Sequence, residues 1–421
     1  MLALLALSLL AYSAGNQDTA GRVAGWQADL QFLLTQARQV HAGPGRPAHR
    51  PEFEQAVSGL FRRVPGLSDE RIVVEIQRLM TLLGDGHSIV YLAPTPRIPL
   101  SRLPIDMYWF SDGVYVVGGM GEGEQLIGSR VVQLGGRNAE DLLRELEPYI
   151  SRDNAIAFKN FGPFYLSVPA FLDALGAAGQ RGAVALTVAN AQGRTRTLLL
   201  AAGPMRGPLR KLAPPRAAPS PPPMYLERVE VPYWLRRLPE HQTVYVQFNQ
   251  VMDAGSDPLA RFAQRLTDTL STPGVSSVIV DVRHNNGGDN TLLAPLINAL
   301  ASFERSRSGN RIFVLTSRTT FSAAQNFINR LERAAHPVFA GEPSMSSPNF
   351  TGEDHEVRLP YSGLMLSISN RYWQDSEPAD RRPWITPHLP VALTSRAYFK
   401  NEDPVLRAVL HAIRTGRFSP T

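Results

Sequence analysis

The chain has 421 residues, 43% of them hydrophobic, which excludes a disordered or fibrous polymer and leaves room for two or three globular domains. Its formal charge of +6 comes from 40 arginines and three lysines against 37 acids, spread along the whole length, so it lacks the concentrated basic stripe of a nucleic-acid binder. Cysteine is absent, which excludes disulfides, thiol catalysis and cysteine-held metals.

Residues 1–15, MLALLALSLLAYSAG, are too short to cross a bilayer comfortably but match the apolar core of a signal peptide ending near small residues. They lack a basic n-region, and a buried N-terminal helix is the alternative. A leader at 1–15 predicts a periplasmic or secreted protein with no integral membrane span. Residues 20–88 read as a helical domain, with apolar positions at Leu30 and Phe32 to Leu34, at Phe53, Val57, Leu60 and Phe61, and from Ile72 to Leu83 at 3.6-residue spacing. This domain delivers Leu83-Gly84-Asp85-Gly86-His87-Ser88, whose glycines permit a sharp turn that projects the imidazole. Ile89 to Leu92 then reads as a strand.

Residues 89–202 are β-rich, with strands over 113–117 and 182–188. Within them, Ile127 to Gly136 followed by Ala139 to Leu146 reads either as a PDZ-like strand, turn and helix able to take a peptide as an added strand, or as an ordinary hairpin and helix. Residues 203–224 carry Pro214-Pro215 and Pro221-Pro222-Pro223 and read as a semi-rigid linker. A last domain, 225–415, opens with a strand over 244–248 and a helix over 258–270.

Two segments of that domain carry chemistry. Val278 to Asn290, VIVDVRHNNGGDN, is a buried strand ending in a carboxylate and a glycine pair that lets a ligand approach the backbone. Ile312 to Leu315 is a second buried strand. Thr319 and Thr320 can cap the helix that follows it, and Ser322 lies in the first turn of that helix beside free N–H groups. Such a hydroxyl is either a nucleophile or merely a cap.

Together these segments resemble the tail-specific protease family, which includes C-terminal processing peptidases and the core of tricorn protease. The family signature D-x-R-x-N-x-G-G is matched by Asp281, Arg283, Asn285, Gly287 and Gly288. Its serine segment is matched by Phe321-Ser322-Ala323-Ala324 and its following turn by Gly341-Glu342-Pro343. Ser347-Pro348-Asn349, Leu359-Pro360 to Gly363-Leu364, Trp384 to Pro390 and Asp403 to Leu406 extend the likeness over residues 225–415.

The resemblance implies an α/β protein with a ClpP/crotonase-like C-terminal catalytic domain, no cofactor or metal, and a peptide or protein substrate. Ser322 would be the nucleophile, with Gly287, Gly288 and the Ala323 amide as its oxyanion hole and with Asp281, Arg283 and Asn285 supporting the glycine loop. One branch of the family pairs the serine with lysine, but lysine occurs here only at 159, 211 and 400, outside the loop concerned. The base is therefore expected to be histidine, as in the tricorn-like branch. His87, in the D-G-H-[ST] element shared with that branch, is the candidate and His284 the competitor. His388 stands where the family often has aspartate, and the other histidines, His41 among them, carry no motif. The orienting acid of that branch lies nearly sixty residues past the nucleophile, which points to Asp380, with Glu377 and Asp375 as alternatives. Ser344-Met345-Ser346-Ser347 departs from the family's threonine and glycines. Two rival functions stay open, a ligand- or peptide-binding protein on the same fold and a crotonase-type acyl-CoA enzyme.

Overall fold

The computed structural model describes residues 2–177, 179, 182–205, 212–215 and 220–418, with side chains from residue 19 onward. The leader expected at 1–15 falls outside the described side chains, and much of the expected linker, 206–211 and 216–219, lies outside the described residues. Among those described, no helix is long and apolar enough to cross a membrane.

Three helices open the chain: α1 (Leu2–Val40), α2 (Pro51–Arg63) and α3 (Asp69–Thr81). The Ser68 side chain caps α3 by accepting from Arg71 N–H, and the stripe Ile72, Val73, Ile76 and Met80 is buried, as its period predicts. After the His87 turn, β1 is only Ile89–Val90, shorter than the strand expected to Leu92. A mixed-length antiparallel sheet follows, formed by β2 (Ile105–Phe110), β3 (Gly113–Gly119), β4 (Arg130–Leu134), β5 (Ala183–Ala189) and β6 (Thr195–Ala201) in that order, with α4 (Ala139–Glu145) after β4. These helices and this sheet share one core, which runs from Trp26 to Met205 and also takes in Met345 and apolar residues from Val357 to Ile368.

The C-terminal part is a second sheet of β7 (Tyr233–Leu238), β8 (Thr243–Phe248), β9 (Ser277–Asp281), β10 (Arg311–Thr316), β11 (Val338–Gly341) and β14 (Leu389–Pro390), adjacent in that order. Only β7 is antiparallel. Val278, Ile279 and Val280 are fully buried because helices cover both faces of a parallel sheet, among them α5 (Leu259–Leu270), α6 (Ala294–Ser306), α7 (Ala323–Ala334) and α8 (Pro404–Thr415). Between β11 and β14 the chain leaves this sheet for a hairpin of two ten-residue strands, β12 (Asn349–Arg358) and β13 (Met365–Gln374).

That hairpin does not join the parallel sheet. It pairs through β13 with β1, at Ile89 opposite Ser367 and Val90 opposite Leu366. Helix α1 grips its turn: Asp29 accepts from the amides of Tyr361 at 2.7 Å and Ser362 at 2.9 Å. The Tyr361 ring lies against Gly25, where no Cβ would fit. Residues from opposite ends of the chain thus hold His87 over the carboxyl ends of β9 and β10, where ligands of parallel sheets bind.

Candidate active site

Ser322 is where the serine segment departs from an ordinary helix start. A capping residue has extended backbone and a side chain that accepts from the first turn. Ser322 instead has φ 55° and ψ −124°, and its hydroxyl makes no capping hydrogen bond. For a residue with a Cβ this conformation costs about 1–3 kcal/mol and is kept only where the surroundings enforce it.

The enforcement is visible. The loop before Ser322 is tied to the glycine loop: Thr320 Oγ1 donates to Val282 O at 3.1 Å, Ser317 Oγ to Arg283 O at 2.7 Å, and Phe321 N–H to Asn285 O at 3.2 Å. Thr319 Oγ1 also donates to Arg283 O. The two threonines read from sequence as caps spend their hydroxyls on this tie, since carbonyls at the end of β9 lie within reach.

Gly287 and Gly288 have φ of 118° and 130°, a region closed to other residues. A Cβ on Gly287 would lie 2.7 Å from Ser322 Cβ and 3.1 Å from both Ser322 Oγ and Ala323 N, so the bare glycine backbone forms the wall facing the hydroxyl. Gly287 N–H donates to Asn285 Oδ1 at 3.0 Å, which removes it from the expected oxyanion donors. The amides of Gly288 and Ala323 donate to no acceptor among the described residues.

The supports of this loop are as expected. Asp281 is fully buried and accepts from Tyr245 OH at 2.7 Å and from Arg283 Nη2 at 2.6 Å. Burial alone would raise its carboxyl, but the Arg283 guanidinium holds it below the ordinary range. Arg283 in turn chelates Asp403 at 3.0 and 2.8 Å, and Asp403 caps α8 through Leu406 N–H. Glu342 of the Gly-Glu-Pro turn holds buried Arg318 at 2.6 and 2.9 Å, and Arg318 reaches the antiparallel sheet at Trp109 O and over the Tyr108 ring.

His87 is buried and stacked between two rings, Phe321 at 4.2 Å and Phe350 of β12 at 5.6 Å between centroids. Phe321 directly precedes Ser322, so imidazole and hydroxyl are set by one stretch of backbone. A Cβ on Gly352 would sit 3.1 Å from the ring, which explains a glycine inside this strand. Neither ring nitrogen closes a hydrogen bond among the described residues, although the Thr351 backbone lies beside the ring. Burial lowers the imidazole below its ordinary value, opposed by the charges of Asp354 and Asp85.

Asp85 is the buttress of this turn. It accepts from the His87 and Ser88 amides at 2.9 and 2.6 Å, from Ser369 Oγ at 2.7 Å and from Ser88 Oγ at 2.8 Å. Behind it His41, read from sequence as lacking context, places Nε2 2.8 Å from Asp85 Oδ2. His41 Nδ1 accepts from Gly43 N–H, which assigns the neutral tautomer with the proton on Nε2. Burial would raise the Asp85 carboxyl; the hydrogen bonds from His41, Ser369 and Ser88 carry it below the ordinary range.

The expected orienting acid is not at this ring. Asp380 accepts from Arg382 Nε at 3.1 Å, from Arg382 Nη2 at 2.8 Å and from Ser376 Oγ at 2.6 Å, and makes no hydrogen bond to His87. The Arg382 hydrogen bonds hold its carboxyl far below the ordinary range. Asp375 binds Arg330 of α7 at 3.1 Å, and Glu377 is exposed. His284 stacks on Tyr225 at 5.8 Å, on the Arg283 side of the loop, and His388 accepts from Phe339 N–H through Nδ1. Sequence reasoning missed Phe321 and Phe350 as the imidazole's walls and Asp354 as the charge that most favours its protonated form. Gly352 within a strand was the one local signal.

With this geometry the solved structures can be compared. A CPAF mutant superposes with a TM-score of 0.67 at 13% identity, over 95% of this chain and 99% of that one. The chain has the CPAF fold. Mature CPAF complexed with lactacystin gives 0.63 at 13% identity, over 93% and 98%, and a photosystem II D1 C-terminal processing protease gives 0.44 at 14%, over 92% and 97%. At this identity the CPAF likeness is one of fold. No family model and no curated protein matches the chain.

Proposed function

We propose that this protein is a serine peptidase in which Ser322 attacks a peptide carbonyl and His87 takes its proton. The observation that carries the reading is the strained, uncapped Ser322 held against bare glycine backbone. A cap needs none of that strain, whereas a nucleophile needs a hydroxyl free of competing bonds and amides aimed at the developing oxyanion. The Gly288 and Ala323 amides take the oxyanion role. The neutral, desolvated imidazole is a competent base near neutral pH. It then protonates the leaving amine, and water attacks the acyl-enzyme with His87 again as base. Asp354 and Asp85 stabilise the imidazolium through space.

The ClpP/crotonase-like description of the parallel-sheet domain, a peptide-binding role for the middle sheet, endoproteolytic cleavage and export behind a leader belong to the same proposal. A crotonase-type acyl-CoA enzyme would have no use for an activated serine, and a pure binding protein no use for the strain at Ser322.

A fluorophosphonate tests this directly: Ser322 Oγ attacks phosphorus, fluoride leaves, and mass spectrometry locates the adduct. Wild-type protein is expected to carry the adduct on Ser322, with lactacystin as a second ligand to try. Ser322→Ala should carry none, and His87→Ala should label and turn over peptides on the order of 10⁴ to 10⁶ times more slowly. Wild-type protein that resists the probe while folded overturns the peptidase reading.

A further inference from the structure

Asp153 lies between the turn that carries His87 and the loop that touches Ser322, and the peptidase mechanism as written does not use it. Its Oδ1 accepts from Gly86 N–H, one residue before His87, at 2.8 Å. The Phe321 ring packs on the same glycine, leaving only 3.0 to 3.3 Å between a Cβ placed there and both Phe321 and Asp153. Its Oδ2 is buried without a protein donor at full hydrogen-bond geometry, and the Ser346 hydroxyl and Ser347 amide face the carboxyl. Ser346 Oγ is the acceptor for Ser322 N–H at 3.3 Å. The neighbouring Asn154 strengthens the same join, its Nδ2 donating to Ser344 O at 3.2 Å and to Pro383 O at 2.7 Å.

We propose that Asp153 is a positioning residue that clamps the nucleophile loop to the base turn, through Ser346 on one side and Gly86 on the other. It touches no substrate and acts through Ser322 and His87, so the proposal rests on the peptidase reading for its consequence but not for its geometry. An ionised carboxylate can accept from the Ser346 hydroxyl and the Gly86 amide together. Ser346 Oγ then turns its lone pairs to Ser322 N–H. Charge-assisted bonds of this kind are roughly twice as strong as neutral ones. Once protonated, the acid must donate to Ser346 Oγ and compete with Ser322 N–H for it.

The groups facing the carboxyl set when this happens. Burial pushes Asp153 up to about 7, and the Asp85 charge adds to that, while the Gly86 amide, Ser346 and Ser347 oppose it. Among the described residues no cation pairs with it: Arg152 next to it is paired with Glu147, and His41 with Asp85. The clamp is therefore fully formed above neutrality and loosens as pH falls through about 7.

The test uses the full chain, with Asp153→Asn and Asp153→Ala beside wild type. Fluorophosphonate labelling of wild type should show two ionisations on its acid limb, one near 7 and one lower, from His87. Asp153→Asn imitates the protonated acid, so it should lose the upper ionisation and label about ten times more slowly at pH 8, and converge on wild type near pH 6. A merely structural carboxylate would show only a stability change, a raised melting temperature for asparagine at pH 8 that shrinks as pH falls from about 7 toward the ordinary aspartate value of about 3.9, with no change in the shape of the labelling profile. Hydrogen exchange at the Gly86 and Ser322 amides reads the clamp without any catalysis, and should quicken at pH 8 in Asp153→Ala. Unchanged exchange, or an Asp153→Asn profile with the wild-type shape, overturns the clamp. Quickened exchange in a protein that never labels would keep the clamp and remove the peptidase reading.

Discussion

The nucleophile side and the base side of this site are built in opposite ways. The bonds made directly to the Ser322 loop lie between Asp281 and Ser346: two adjacent parallel strands, a glycine loop, and hydroxyls that tie one loop to the other. The His87 ring and its Asp85 buttress are held by four remote segments, through His41 at the end of α1, Phe321 before the nucleophile, Phe350 and Gly352 on β12, and Ser369 on β13. A local scaffold can store strain, because its hydrogen bonds close short loops. An assembled pocket can tune a titration, because each wall is supplied independently. The first should break sharply when touched, and the second should shift.

Gly287→Ala is the sharpest way to break the local side. The new Cβ would press on Ser322 Cβ at 2.7 Å, at a φ of 118° that alanine tolerates poorly. Loss of oxyanion geometry on this scale lowers kcat by about 10² to 10³. Steady-state kinetics on any cleaved peptide would measure it, with a melting curve to verify folding. Alanine at 287 with near-normal kcat would show that the glycine loop is not the wall of the oxyanion hole.

This contrast also explains what could be read from the chain. Asp281, Arg283, Asn285 and Ser322 were legible because strand, glycine pair, strand and serine follow one another at fixed spacing, and a parallel sheet brings neighbours in sequence side by side. His87 was legible as a turn, through Asp85-Gly86-His87-Ser88. Its walls were not, since nothing local to Phe350 or Ser369 says that the β12–β13 hairpin leaves the parallel sheet to pair with β1. Thr319 and Thr320 misled because a cap and a loop tie use the same hydroxyls, and only the positions of Val282 O and Arg283 O decide between them. For Asp380 a count of residues placed the acid, but the direction of a loop after β13 is not a function of spacing. Arg382 sits two residues on and takes the carboxylate.

On the assembled side, Phe350→Leu should shift rather than abolish. An aromatic pair adds about 0.5–1.5 kcal/mol beyond its burial, so loosening the imidazole should cost about a factor of ten in kcat. Water admitted beside the ring should also raise the His87 titration toward the ordinary value of about 6.5. In wild type that titration is lowered by burial, so the base form persists below pH 6.5 and the His87 limb of activity lies on the acid side of that value. Stability has the same sign. The unfolded histidine takes a proton first, so this contribution is complete above about pH 6.5 and is lost as pH falls from there toward the folded value. A pH–rate profile of the variant whose acid limb stays with the wild type would show that the ring's burial does not tune the base.

The smallest effect is expected at Asp380, where residue spacing and geometry disagree most. Were this carboxylate the orienting member of a triad, Asp380→Asn would lower kcat by about 10³ to 10⁴ and leave KM in place. Its actual partners, Arg382 and Ser376, lie on the rim: Arg382 is 42% exposed and shares its guanidinium with Glu332. Exposed pairs of this kind are worth about 0–1 kcal/mol. Asparagine keeps an acceptor for Ser376, so turnover should stay within a few-fold of wild type and melting should drop by only a few degrees, and less in high salt. Glu377→Gln, at an exposed carboxylate, should be milder still. A thousand-fold loss in Asp380→Asn with unchanged melting would mean that the loop after β13 swings its acid onto the imidazole during the reaction. The base side would then be assembled from five segments rather than four.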